Sequence, residues 1–404
     1  MEVKQQEEAI KLTLMMAKAL QQNGIPAQRM EESVFTLCAH IGIKGDVFNS
    51  PGGLILNLGK EGEQRTHFVK IAYGDLNLEK LDRIDHILKS VLKNKISHAE
   101  AIAELELVEN LKKRYSSAID VLFLAISTSS AARVFGGGYA EISVSFVIGL
   151  FIGMLIFTAE YFPRIGNLIV LASSVFAIAF AKIATQFFGN YSVDIATVTG
   201  LILLIPGFSF TVSIIELVNG HPIAGTARFA NTIITLLMIG LGIGVGSQID
   251  KIMTIVPNEM MLPAIPQWTL YIALVTVPLG FVVLFKAIPK DFIWILLACL
   301  CSYYSLKISG NYVSVHLSVF AASLSLGLIS NVFSLWQNRP VSIMLVPGII
   351  LLVPGSLGYR SISELINNQT LSGIETAFSM TITAIALVAG LVVSNIVLSS
   401  KRAL

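Results

Sequence analysis

The apolar part of this chain is written twice, 148 residues apart. Sliding residues 190–225 onto 338–373 without a gap gives 16 identities in 36 positions, among them Pro206/Pro354, Gly207/Gly355, Glu216/Glu364 and Asn219/Asn367. Two unrelated apolar helices share Leu, Ile and Val by composition, but not Asn, Gly, Pro-Gly and Glu in register. Each copy carries five apolar segments, and an odd number of crossings makes the second copy enter the bilayer from the opposite side. An antiparallel duplication of this kind is an architecture of secondary transporters.

Charge divides the chain. Residues 1–117 hold 16 Lys/Arg and 16 Asp/Glu, whereas residues 118–404 hold only 12 and 10, so the first part is soluble and the second is built for lipid. The net charge of +2 leaves no basic surface for nucleic acid and no acidic tail. Cys38, Cys299 and Cys301 are odd in number, and the last two point to different faces of an apolar run, so free thiols are expected. The N-terminus is a charged amphipathic helix and not a signal peptide, which places the soluble part on the side from which the chain is inserted.

Ten membrane segments fall at 119–137, 141–160, 166–188, 194–217, 228–248, 267–286, 292–308, 313–335, 341–357 and 374–398, the seventh and ninth being least secure in length. With the N-terminus inside, the cytoplasmic side collects Lys112, Lys113, Arg114, Arg164, Arg228, Lys286, Lys290, Arg339, Lys401 and Arg402. The other side has Arg133, Lys182, Lys251, Lys307 and Arg360, and this imbalance favours both termini inside. The expected fold is a mainly α membrane protein, with ten transmembrane helices as two inverted five-helix repeats preceded by a small cytoplasmic α/β domain. The domains are then 1–117 (cytoplasmic), 118–250 (first repeat), 251–266 (external linker) and 267–404 (second repeat).

Within the soluble part, the pattern predicts helices over 3–22 and from Pro26 to Gly42, the latter with a stripe of Met30, Val34, Phe35, Leu37 and Cys38. Short strands follow near Asp46–Phe48, Leu54–Leu58 and His67–Ile71, with turns at SPGG and GKEGE. Two further helices are expected over 77–94 and 97–113, the second opened by a Ser97/Glu100 capping box.

The runs NGIPAQRMEESVFTLCAHIGI, SPGGLILNL and THFVKIAYGDLNLEKLDRIDHILKSVLKNKISHAEAIAEL, followed by five apolar segments, resemble the threonine/serine exporter (ThrE) family. The first 250 residues are similar to the larger subunit, and residues 260–404 to the small membrane subunit, of split bacterial exporters, so the chain resembles a fused form. The resemblance implies efflux of small polar metabolites: threonine and serine, or a dicarboxylate such as succinate. It also implies a hydrolase-like cytoplasmic domain in some readings of the family. In residues 1–117, however, Ser33, Cys38, Ser50 and His40, His67, His86 and His98 form no strained nucleophile turn and no metal-ligand spacing, so no catalytic residue and no metal are expected.

Pro206-Gly207 and Pro354-Gly355 interrupt the fourth and ninth segments. Proline removes an amide donor and clashes with the preceding turn, leaving free carbonyls before the break and free amides after it. Such ends suit the ammonium and carboxylate groups of a small solute. Candidate substrate contacts are Pro206, Gly207, Ser209, Thr211, Pro354, Gly355 and Arg360; candidate proton-coupling or gating residues are Glu216, Glu364, Asn219 and Asn367. Arg360 replaces Val212 of the first copy and can hold a carboxylate or pair with Glu364 four residues on. The competing reading ends each crossing at Pro-Gly and lays FSFTVSIIELV and SLGYRSISELI on the membrane surface. Ser127–Ser130 are expected to bond back to their own helix, His316 to make an interhelical hydrogen bond, and the glycines at 240–246, 149 and 153 to permit close packing.

The expected function is therefore secondary export of threonine or serine from a bacterial inner membrane, by proton antiport or by uncoupled efflux. No P-loop and no cofactor are expected, nor any nucleic-acid partner; the partners are the bilayer, the solute and a second copy in a homo-oligomer. A dicarboxylate exporter of the same architecture is the alternative. A membrane-anchored hydrolase or sensor acting through residues 1–117 is the rival from another class.

Overall fold

The structure is a computed structural model describing residues 3–50, 52–60, 62–71, 76–252, 263–352 and 354–398. Ten residues of the expected linker (253–262), together with Lys401 and Arg402, lie outside the described residues. The N-terminal part begins with α1 (Val3–Gln22) and α2 (Ala27–Ile41). A three-stranded antiparallel meander follows, β1 (Lys44–Ser50), β2 (Gly53–Gly59) and β3 (Arg65–Lys70), in the order β1-β2-β3. It closes with α3 (Leu78–Leu92) and α4 (His98–Glu109).

Pro26 opens α2, and Gly42 ends it at φ +74°, a left-handed position suited to glycine. Met30, Val34, Leu37 and Cys38 are buried as the stripe requires, but Phe35 is exposed, one position off the buried face. The Ser97/Glu100 capping box is present, while α4 stops at Glu109, short of the expected 113. Burial raises the Cys38 thiol to about 11, in keeping with a core cysteine.

The membrane part comprises α5 (Ser117–Val134), α6 (Tyr139–Tyr161), a turn of helix α7 (Pro163–Gly166), α8 (Ile169–Phe188), α9 (Val193–Gly200) and α10 (Gly207–Val218). After these come α11 (Pro222–Gly246), α12 (Ile249–Ile252), α13 (Trp268–Leu284), a 3-10 turn (Pro289–Asp291) and α14 (Phe292–Ser309). The chain continues through α15 (Val315–Gln337), α16 (Ser342–Leu352), α17 (Gly355–Ile366) and α18 (Thr370–Val397). Among the described residues, eight helices are long and apolar enough to cross a bilayer, so the chain is a multi-pass membrane protein. The two expected segments that fall short are the sixth, 17 residues in α13, and the fourth, which is split between α9 and α10. The seventh, expected to be weak, reaches the required length, and the ninth does so only with α16 and α17 taken together.

The fifth helix begins at Pro222, six residues earlier than expected, so Arg228 lies well inside α11 and not at its first position. Glycines at helix crossings act as expected: a β-carbon on Gly153 would meet Val121, and one on Gly242 or Gly246 would meet α8. Ser127 and Ser129 bond back to Phe123 and Ile126, Thr128 to Ala125 and also to Ser145 of α6, and His316 Nδ1 lies 3.0 Å from Thr383 Oγ1. Ser130 instead reaches Thr276 of α13, 2.7 Å away.

Connections fall into two groups. Lys113 pairs with Glu160 at the end of α6, Glu31 lies 3.4 Å from His221 between α10 and α11, and Tyr115 donates to the Ala287 carbonyl after α13. Leu78 and Glu79 donate to Phe285 and Lys286, and Arg339, between α15 and α16, holds both Asp82 of α3 and Asp291. All of these connections face the N-terminal domain. A separate group joins Arg133 to Thr269 and Pro266, and Lys182 to Asp250 and Ser247. A 23-residue helix such as α6, at 1.5 Å per residue, is about 34 Å long and keeps the two groups apart.

Candidate functional site

Proline without an amide at 206 leaves the Ile202 carbonyl without its helical donor, and the chain runs through turns from Leu201 to Ile205 before α10 starts. Pro206 (φ −81°, ψ 41°) and Pro354 (φ −75°, ψ 31°) take the same conformation at the heads of α10 and α17. Neither helix start has a side-chain cap, and the first backbone bonds across it are Phe210 to Pro206 and Gly358 to Pro354. The amides of Phe208 and Ser209 therefore lack helical acceptors, and Ser356 and Leu357 hold the equivalent positions in the first turn of α17.

The two breaks meet. A β-carbon on Gly355 would stand 3.5 Å from Gly207 Cα and 3.0 Å from Ile205 Cγ2. Helix α10 packs on α16, α17 and α18, and α17 packs on α10 and α11, so the second half of each broken helix also touches the last helix of the other copy. Phe210, Thr211, Val212, Ser213, Ile214 and Glu216 are buried, and so are Gly355, Gly358, Tyr359 and Ser361. Burial of this extent is at odds with α10 lying on a membrane surface.

Of the expected substrate contacts, the structure brings together Pro206, Gly207, Pro354 and Gly355. Ser209 is half-buried one turn on, and Thr211 is buried with its hydroxyl donating to the Gly207 carbonyl at 3.2 Å. Arg360 is exposed on α17 and makes no ion pair with Glu364, so the expected pair does not form. Asn219 and Asn367 are exposed C-caps of α10 and α17, well away from the breaks.

The acids sit at the far ends of these helices. Glu216, 1% exposed, accepts two bonds from the Arg228 guanidinium, Nε to Oε2 and Nη2 to Oε1, both at 3.0 Å. Glu364 accepts one from Thr376 Oγ1 at 2.8 Å. The turns behind them match: His221 N donates to the Glu216 carbonyl and Gln369 N to the Glu364 carbonyl, both at 2.9 Å. Gly220 and Asn368 both take positive φ there, and Gly225 and Gly373 each press on a leucine, Leu217 and Leu365.

Arg228, Thr376 and Tyr359 were not among the expected site residues. Carrying the offset of 148 beyond the acids to their partners finds the first two, since Arg228 aligns with Thr376. Tyr359 gives no such signal because Thr211 stands in its place in the other copy. Its buried hydroxyl lies beside Thr197 of α9 without a hydrogen bond of good geometry.

Residues 11–250 match the threonine/serine exporter family model, and residues 269–397 match a second model described as threonine/serine exporter. Among curated proteins, the chain is similar to pheromone-regulated membrane protein 10 of Pichia sorbitophila, 27% identical over 398 residues, covering 91% of this chain and 37% of that protein. The proteins of that name from Kluyveromyces lactis and Saccharomyces cerevisiae are each 26% identical, covering 91% and 90% of this chain and 40% and 47% of their own length. The chain thus spans less than half the length of these relatives. They are yeast proteins and lend no support to the bacterial inner membrane expected above. No solved structure matches.

Proposed function

The chain belongs to the threonine/serine exporter family, and from that premise we propose that it is a secondary transporter exporting a small polar solute, threonine or serine first, along the junction of its two broken helices. One observation carries this reading: Gly207 and Gly355, matched by the repeat, stand against each other where both helices lose their backbone pairing. Unpaired amides and carbonyls are tolerated in a membrane only when buried in protein or facing water, and a solute's ammonium and carboxylate can complete them.

The reading includes ten crossings in two inverted repeats, 118–250 and 267–404, joined by 251–266 and carrying the 1–117 domain on the cytoplasmic side. Supporting it are the identical cap geometry of the two copies, the exchange of packing partners between them, and the segregation of connections into two groups. Alternating access then consists of α10 and α17 shifting against each other, with Ser209, Thr211 and Arg360 contacting solute as the junction opens. Glu216, Glu364, Asn219 and Asn367 lie at the two mouths, where coupling to protons or gating takes place.

Efflux from vesicles holding purified full-length protein and radiolabelled threonine, serine or succinate tests the proposal. Saturable counterflow of one of them is the expected result; its absence for all three defeats the reading. Preference for succinate alone selects the dicarboxylate alternative.

A further inference from the structure

The acids matched by the repeat do not share a chemical environment. Arg228 holds Glu216 through two parallel bonds, whereas the residue that aligns with Arg228 is Thr376, whose single hydroxyl bonds Glu364. The backbone turns behind the two positions correspond, while Glu216 is fully buried and Glu364 only partly, and the side-chain donor changes from arginine to threonine. Charged groups near α17 are few. Arg360 on α17, Glu375 on α18 and Asp194 on α9 are exposed, Glu216 on α10 and Arg228 on α11 hold each other, and among the described residues no cation forms an ion pair with Glu364.

Protonating Glu216 would give up two charge-assisted bonds from a guanidinium. Glu364 faces no such cost, because a threonine hydroxyl donates to a carboxylate and accepts from a carboxylic acid equally well. The ends differ as well. Glu216 is five residues from His221, which contacts the soluble domain through Glu31, while Glu364 sits near the opposite end of the membrane part, just before the α17–α18 turn.

Resting on the transport reading, we propose that the two acids have divided their roles: Glu364 alone exchanges a proton, from the side away from the soluble domain, and Glu216 with Arg228 is an ion-pair latch. The protein then couples export to one proton-binding site, not to a symmetric pair.

A hydrophobic carbodiimide, which reacts with protonated carboxyls in apolar surroundings, tests the assignment in full-length protein in lipid vesicles, with adducts mapped by mass spectrometry. Glu364 should be modified at least several times more than Glu216, because no arginine holds it, and less as the pH rises. Arg228→Thr should expose Glu216 to the reagent, and Thr376→Arg should protect Glu364. Glu364→Gln should remove the response of efflux to a pH gradient. Equal modification of both acids, or modification of Glu216 alone, overturns the assignment even if efflux is robust. The expected labelling without any efflux defeats the transport reading and leaves the assignment of the exchanging acid in place.

Discussion

Gly355 faces Gly207 so closely that a β-carbon on the former would lie 3.5 Å from the α-carbon of the latter. Each glycine follows the proline that breaks its helix, and the contact joins the two copies of the repeat at equivalent points. A side chain here must displace Ile205 or push α10 from α17. Gly355→Val is expected to cost about 1 to 3 kcal/mol through overpacking. It should cut solute efflux far more than it lowers the melting temperature in detergent, since in the proposed cycle the halves move at this junction. Efflux and melting measured on the same preparation check this.

Arg228→Ala leaves the Glu216 carboxylate buried without its partner. Breaking a buried pair in this way costs about 3 to 5 kcal/mol. Replacing both groups, Glu216→Gln with Arg228→Met, should recover most of the loss, because neither charge is then stranded. Thermal unfolding of the three variants against the parent measures the difference; equal destabilisation by the single and double changes would contradict the pairing.

Much of this was legible in the chain because polar residues repeat in register. Pro206, Gly207, Glu216 and Asn219 have their counterparts at a fixed offset, and it is this repetition that singles out the two breaks, since Pro278 and Pro347 stay inside helices. The partners of the acids were less legible. Hydropathy starts the fifth helix at Arg228, where the apolar run becomes continuous, but Pro222 is well suited to the first turn of a helix and starts it earlier, turning Arg228 from a cation at the segment's end into the mate of Glu216. Arg360 was expected to pair at i+4 with Glu364, yet Thr376 on the next helix takes the carboxylate, an interhelical contact that spacing along one helix does not reveal.

Asp85 of α3, buried against Lys89, has its carboxyl raised to about 6, chiefly by loss of hydration, with the Lys89 ammonium acting in the opposite direction. An acid whose folded value lies above its unfolded one favours folding below the unfolded value and loses that contribution as pH rises through the folded value. Stability of α3 should therefore fall between about pH 4 and pH 6 and then level off. Glu79 works the other way, since its bonds from Arg114 hold its carboxyl below the usual range, so the comparison needs Asp85→Asn. Amide exchange of α3 in the full chain, corrected for intrinsic rates, should show the Asp85 part of the slope in the parent and lose it in the variant.

Arg339 bonds Asp82 of the soluble domain and Asp291 of the membrane part at once, with Asp291 2% exposed. Arg339→Gln should strand Asp291 at a cost of about 3 to 5 kcal/mol and loosen the soluble domain. Limited proteolysis between α4 and α5 reads this directly: faster cleavage is expected, and an unchanged rate would mean that the backbone bonds of Leu78 and Glu79 suffice to hold the domain.

Locking the two breaks together is the most direct test of transport at their junction. With Cys38, Cys299 and Cys301 changed to serine, Gly207→Cys and Gly355→Cys place two thiols on α-carbons close enough for a disulfide. Oxidation should form the bond and stop solute efflux from vesicles, and reduction should restore it. Full efflux through the cross-linked protein, or failure of the pair to link at all, would contradict the account.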